Sequence, residues 1–200
     1  TDLCDLRCIY CMPESGAQTR ACGEICSLEE LCGMTAAAVR LGVRKVRITG
    51  GEPLVRRGIA DLCRMLRRIP GLEELCLTTN GILLPALAAP LRGAGVDRLN
   101  ISLDTLRAGR YRAITRGGAL CDVLRGLEAA EAAGFRNTRI NCVLMGGIND
   151  DEIEDFVRLT EKRPICVRFI ELMPMGVCAG WDKRSFLPAR AVLERVPELS

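Results

Sequence analysis

Cys4, Cys8 and Cys11 stand at the spacing Cys-x3-Cys-x2-Cys, with Pro13 and Gly16 close behind. Thiolates are soft ligands, and three of them on so short a segment can converge on one metal centre, either zinc or an iron-sulfur cluster. A closed zinc site usually has four protein ligands. The chain holds no histidine, so the fourth would have to be Cys22, Cys26 or a carboxylate. Three ligands with the fourth missing suit a 4Fe-4S cluster that keeps one open iron. Plain buried cysteines are the remaining reading.

An open iron can chelate the amino and carboxylate groups of S-adenosylmethionine (SAM), placing the sulfonium where one electron cleaves it. The product is a 5′-deoxyadenosyl radical, a reagent that protein side chains cannot supply. Tyr10, directly before Cys11, matches the radical SAM form of such a loop. About forty residues further on comes Gly50-Gly51-Glu52-Pro53. It offers a turn free of side-chain obstruction, backbone polar groups facing outward and one carboxylate, which suits an ammonium such as the methionyl amine of SAM and not a phosphate. Read alone, the same residues are equally a simple strand-to-helix turn.

The elements that must position these residues follow from periodicity. Short β-branched runs at 45–49, 74–79, 98–103, 139–144 and 167–171 read as strands. Between them, 28–41, 59–69, 119–133 and 151–161 carry apolar residues near a 3.6 period. Ser27 and Asp150 read as N-caps, and Gly42 and Gly134 close two of the helices. Alternating strands and helices imply parallel βα units, in an open doubly wound sheet or a barrel. Periodicity does not choose between those two. The unusual residues cluster just after the strands, at the edge where parallel α/β folds hold their chemistry: 50–53, 79–81, 102–104, 146–147 and 171–174.

With 200 residues, 48% of them hydrophobic and 26% charged, the sequence is expected to form a single domain over 1–200, a piece of a longer chain. A net charge of +3 and only 4% aromatic residues argue against a nucleic-acid surface. No apolar run is long enough for a membrane span and no leader is present, so a cytoplasmic location is expected. The chain has twelve cysteines. Cys63, Cys76, Cys121, Cys142 and Cys166 lie singly in apolar stretches and read as small core residues, not as a disulfide framework.

Taken in order, the chain carries Thr1-Asp2-x-Cys4-x3-Cys8-x-Tyr10-Cys11-Met12-Pro13, Arg47-Ile48-Thr49-Gly50-Gly51-Glu52-Pro53, Leu77-Thr78-Thr79-Asn80-Gly81, Asn100-Ile101-Ser102-Leu103-Asp104, Gly147-Ile148-Asn149-Asp150 and Arg168-Phe169-Ile170-Glu171-Leu172-Met173-Pro174. In this order the motifs resemble the GTP 3′,8-cyclases of molybdenum cofactor (molybdopterin) biosynthesis, a family of radical SAM lyases, over nearly the whole chain. The resemblance implies an α/β fold, a partial TIM-type (β/α)6 radical SAM barrel with the first strand and the C-terminal cluster segment missing here. It implies conversion of GTP to (8S)-3′,8-cyclo-7,8-dihydroguanosine 5′-triphosphate, in which the 3′ hydrogen is abstracted and the ribose carbon attacks C8 of guanine. On this likeness Cys4, Cys8 and Cys11 hold the 4Fe-4S cluster. Tyr10, Gly51, Ser102 and Met173 contact SAM, and Arg47, Thr78 and Arg139 contact GTP. The implied partners are GTP, a downstream cyclic pyranopterin monophosphate synthase, an electron donor such as flavodoxin or ferredoxin, and a second copy in a homodimer.

The chain also departs from that family. Leu3 replaces an arginine, Asp5 an asparagine, and Arg139 a lysine, the last keeping the cation but changing its geometry. The family's second 4Fe-4S cluster, on three C-terminal cysteines, has no counterpart after Cys178, and its N-terminal GTP-binding arginine none before Thr1. Cys22 and Cys26 lie outside the family pattern. Arg168 and Glu171 share a strand and are read as lying on the same face, binding the substrate or bridging each other. Because fold and cofactor do not fix a substrate, a radical SAM enzyme acting on another substrate, such as a peptide, and a non-catalytic zinc-binding fragment stay open beside the cyclase reading.

Overall fold

Strand β4 (Thr138–Leu144) shows how the chain sorts its residues between two faces. Thr138, Ile140, Cys142 and Leu144 are buried, while the alternate Arg139, Asn141 and Val143 are half-buried, the period of two that a pleated strand imposes. The computed structural model describes residues 1–16 and 24–199. Within them β4 is one of five parallel strands, with β1 (Lys45–Ile48), β2 (Glu74–Thr79), β3 (Arg98–Ser102) and β5 (Ile165–Glu171). Leu75, Leu77, Leu99, Ile101, Ile140, Cys142 and Leu144 turn to one side and form the core.

Helices cover that side. They are α1 (Leu28–Arg40), α2 (Ile59–Arg67), α3 (Leu84–Gly93), α4 (Ala108–Thr115), α5 (Leu120–Ala132), α6 (Ile153–Lys162) and α7 (Arg190–Arg195). Leu62, Cys63, Leu66, Leu84, Leu91, Val123, Leu127, Ile153 and Phe156 carry their apolar stripes into the same core. The strands lie in the spatial order β1-β2-β3-β4-β5, without the reversal that marks a doubly wound sheet. Sequential order with a single helical layer is the arc of a (β/α) barrel, so the partial barrel is the alternative the chain adopts. The described strands do not close into a ring.

Most of the expected ends are observed. Ser27 caps α1 in a capping box, its Oγ accepting from Glu30 N while Glu30 accepts from Ser27 N. Gly42 and Gly134 follow their helices at φ 106° and 81°. Asp150 does not cap α6. A short 3-10 turn over Asp150–Glu152 intervenes, and the Asp150 carboxylate instead accepts from Gly147 N and from Arg195. Of the cysteines expected in the core, Cys63, Cys76 and Cys142 are buried, whereas Cys121 and Cys166 are exposed. Cys121 falls on the outer side of α5, and Cys166 on the non-helical face of an edge strand that has one neighbour. Cys22 lies outside the described residues. No helix of those described is long and apolar enough to cross a membrane.

Candidate active site

Because every pairing in the sheet is parallel, all five strands end at one edge, and the cysteine segment is laid across it. After β1, Gly51 N donates to Thr1 O at 2.8 Å and Glu52 N to Leu3 O at 2.7 Å. After β2, Asn80 Nδ2 donates to Asp5 Oδ1 at 2.6 Å. After β3, the Tyr10 hydroxyl donates to Asp104 Oδ2 at 2.8 Å. After β5, Cys178 Sγ donates to Tyr10 O at 3.2 Å. From the end of α4, Thr115 O and Ile114 O accept from Arg7 N and Ile9 N, and Arg116 donates to the carbonyls of Arg7 and Met12. A Cβ on Gly51 would meet Leu3 O at 2.2 Å. Only glycine lets the loop come so close.

The three thiols share one neighbourhood. Burial pushes the Cys8 thiol up to about 12, and the negative charges of Asp104, Cys11 and Cys4 push the same way. Burial also raises Cys4, against a hydrogen bond from Leu6 N, and Asp5, Glu52 and Cys11 add to the rise. Bound to a metal, such thiols are deprotonated outright. Among the described residues, no three cysteine or carboxylate side chains are close enough to hold a single metal ion.

The Glu52 carboxylate faces inward and not toward a ligand. It is buried, its Oε1 accepting from Leu54 N at 2.9 Å and Thr79 Oγ1 at 2.7 Å, its Oε2 from Asn80 N at 2.7 Å. Burial raises its pKa and those hydrogen bonds oppose the rise. The expectation that this carboxylate meets an ammonium is thus corrected: it clamps the end of β2 to the turn after β1, whose Gly51 and Glu52 N–H groups are taken by the cysteine segment. Asp104 has a similar role on the neighbouring strand. Its Oδ1 accepts from Val143 N at 2.9 Å, and its own carbonyl accepts from Asn149 Nδ2 at 2.7 Å. Burial pushes its carboxyl up to about 6, against the donors Val143 N and Tyr10. Sequence reasoning placed Asp104 only in a motif, and its position beside the loop was not visible there.

The face of the sheet turned away from the helices is polar. Register sets Arg47 beside Cys76 and Arg98, Thr78 beside Asn100 and Arg139, and Ser102 beside Asn141 and Arg168. Arg47, Thr78, Arg139 and Ser102 are therefore brought together on one side. Arg98 is bound to Glu74 at 2.5 Å, but no carboxylate among the described residues pairs with Arg47, Arg139 or Arg168. Burial lowers the pKa of Arg168, and the charges of Arg139, Arg47 and Arg98 lower it further while Cys166 opposes. Asn100 donates to Thr78 Oγ1 at 3.2 Å, and the amide oxygens of Asn100 and Asn141 are buried with no hydrogen-bond partner in the structure. Glu171 belongs elsewhere: three positions on from Arg168 it takes the opposite face, and accepts from Ala189 N at 2.5 Å. The two do not bridge. Met173 lies exposed just beyond β5. Arg98 and Asn141 were missed in the sequence, though counting by twos from Arg139 and across the register finds both.

The sequence profile of the Radical SAM superfamily matches residues 1–160. The chain belongs to the radical SAM superfamily. Among curated relatives, a GTP 3′,8-cyclase of Geobacter sulfurreducens is 54% identical over 196 residues, 98% of this chain and 60% of the relative. A GTP 3′,8-cyclase of Peptoclostridium acidaminophilum is 52% identical over 200 residues, 100% of this chain and 62% of the relative. The chain thus spans about three-fifths of the length of these relatives. Among solved structures, methylornithine synthase superposes with a TM-score of 0.74 at 16% identity, covering 96% of this chain and 58% of that one. The structure of anSMEcpe with bound AdoMet gives 0.71 at 18%, covering 100% and 55%. These likenesses are of fold. A radical SAM chain works with a 4Fe-4S cluster and SAM, and the residues here fit both. Three neighbouring thiols at a strand-end edge match a cluster with an open iron, and the Gly51 turn packs directly against the segment that carries them.

Proposed function

We propose that this chain is most of the catalytic barrel of a GTP 3′,8-cyclase. The observation that carries the reading is the pairing of two features on one side of the sheet. A three-thiol loop crosses the strand ends, and beneath it Arg47, Arg139 and Arg168 have no carboxylate partner among the described residues. Like charges gathered on one face, with Arg139 and Arg168 half-buried, favour a polyanion, and planar guanidinium forks match phosphate oxygens two at a time. A nucleoside triphosphate supplies that charge, and the names of the relatives supply the nucleotide.

In this reading Cys4, Cys8 and Cys11 hold the cluster. With SAM bound, that group supplies a radical able to take a hydrogen atom from unactivated carbon. Tyr10, the Gly51 backbone, Ser102 and Met173 line the SAM position at the edge. Arg47, Thr78 and Arg139, with Arg168 beside them on the same face, would hold the triphosphate. The amide oxygens of Asn100 and Asn141 accept donors on that face. The arginines bind and orient, and no proton transfer is asked of them. A downstream cyclic pyranopterin monophosphate synthase, a flavodoxin or ferredoxin donor, a homodimer and a cytoplasmic location belong to the same proposal.

Anaerobic reconstitution of the full-length protein containing this chain tests it. The reading expects about four irons per three-cysteine site, SAM cleavage on reduction, and turnover of GTP. Stoichiometric zinc without iron or sulfide contradicts it. SAM cleavage without GTP conversion would move the protein to another radical SAM substrate.

A further inference from the structure

We infer that Asp104 is a positioning residue for the cysteine loop, acting through the Tyr10 hydroxyl to fix the geometry in which the loop meets cluster and SAM. The inference rests on the functional reading above for what is positioned, and on independent geometry for how.

Tyr10 sits between Cys8 and Cys11, and it is held at both ends. Its hydroxyl donates to Asp104 Oδ2 at 2.8 Å, and its carbonyl accepts from Cys178 Sγ at 3.2 Å. Asp104 is in turn immobilised: Oδ1 takes Val143 N at 2.9 Å, and its carbonyl takes Asn149 Nδ2 at 2.7 Å, while Asn149 Nδ2 also reaches Val143 O at 2.8 Å and its Oδ1 accepts from Met145 N at 2.8 Å. Residues from β3, β4, the turn after β4 and the segment after β5 thus converge on one tyrosine. Ile9 and Tyr10 also pack against a small apolar cluster of Ile114, Met145, Leu172 and Cys178, separate from the main core.

A carboxylate in this place needs a reason. Asp104 is 6% exposed, and burying an anion is unfavourable unless donors compensate it. Here the Tyr10 hydroxyl is a donor from outside the sheet, and a charge-assisted O–H···O bond is stronger and more directional than a neutral one. The side chain that the barrel must desolvate is the one that fixes the loop. Ser102, two residues before Asp104 on the same strand end, stands in the proposed SAM position, so the brace sets the distance between loop and strand that SAM must span.

The test uses the full-length protein with Tyr10→Phe, Asp104→Asn and the double variant. Tyr10→Phe deletes a single hydroxyl and leaves the buried Asp104 without that donor, so it is expected to fold with a melting temperature lowered by only a few degrees. Asp104→Asn keeps an acceptor for Val143 N but replaces the charged bond by a neutral one. In cluster-free protein, hydrogen exchange of the peptide spanning 4–12 is expected to accelerate in Tyr10→Phe, while the strands remain protected. In reconstituted protein, SAM affinity is expected to fall roughly tenfold in Tyr10→Phe and less in Asp104→Asn, with a weakened SAM-induced change in the electron paramagnetic resonance of the reduced cluster. The double variant is expected to be no worse than Tyr10→Phe. Unchanged loop exchange and SAM affinity in Tyr10→Phe would overturn the inference. So would additive losses, which would mean the hydroxyl and the carboxylate act separately. If the parent itself bound no SAM, the functional reading would fall, and loop exchange alone would decide whether the brace exists.

Discussion

At the scale of single residues, the carboxylates that look most available for chemistry are spent on architecture. Glu52 accepts three hydrogen bonds in a buried position. Glu52→Gln puts an amide donor against Asn80 N or Leu54 N and is expected to destabilise the chain by about 1–3 kcal/mol, read from urea unfolding. Asp104 allows a pH test in cluster-free protein. Its carboxyl, pushed up to about 6 by burial, holds its proton more tightly folded than unfolded, so the ion weighs against folding at neutral pH. That penalty is relieved as pH falls through about 6, and stability is expected to rise by about 1 kcal/mol between pH 7 and pH 5. Asp104→Asn should flatten this slope. The arginines allow a binding test: Arg139→Gln and Arg168→Gln are each expected to raise the KM for GTP about tenfold or more, with little effect on SAM cleavage in the absence of nucleotide. The motif residues were legible because their types and spacing are unusual. The roles of Glu52 and Asp104 were not, since a buried acceptor and a ligand-facing carboxylate look identical in a sequence.

At the scale of elements, five strands were read within three residues of their ends, because β-branched runs between glycine-rich turns are strong local signals. Helix α3 was harder. Pro90 sits inside it and Gly93 at its end, two residues that ordinarily argue against a helix interior, and packing of Leu84, Ala88 and Leu91 into the core overrides them. Periodicity was equally silent on which strands neighbour which, and so on the arc that gathers the arginines. The turn after β1 is the element that joins loop to sheet. Gly51→Ala, with its Cβ 2.2 Å from Leu3 O, must push the two apart. The expected outcome is a folded protein, unchanged in far-ultraviolet circular dichroism, that retains less than half of its iron after reconstitution and desalting. Full iron retention would show that the close approach does not govern cluster binding.

At the scale of the whole molecule, the division of labour is spatial. One face of the sheet and the helices supply stability, the strand-end edge holds the thiols, and the arginines lie on the face turned away from the helices. The chain spans about three-fifths of its curated relatives, so catalysis is a property to be measured on the full-length protein. In the proposed function, a radical made at the cysteine loop acts on the ribose of a nucleotide held by the arginines. GTP deuterated at C3′ tests this directly, by mass analysis of the 5′-deoxyadenosine formed under reducing, anaerobic conditions. Deuterium is expected in 5′-deoxyadenosine, lost together with product in Arg139→Gln at low GTP. Deoxyadenosine formed without deuterium, in the presence of saturating labelled GTP, would contradict it.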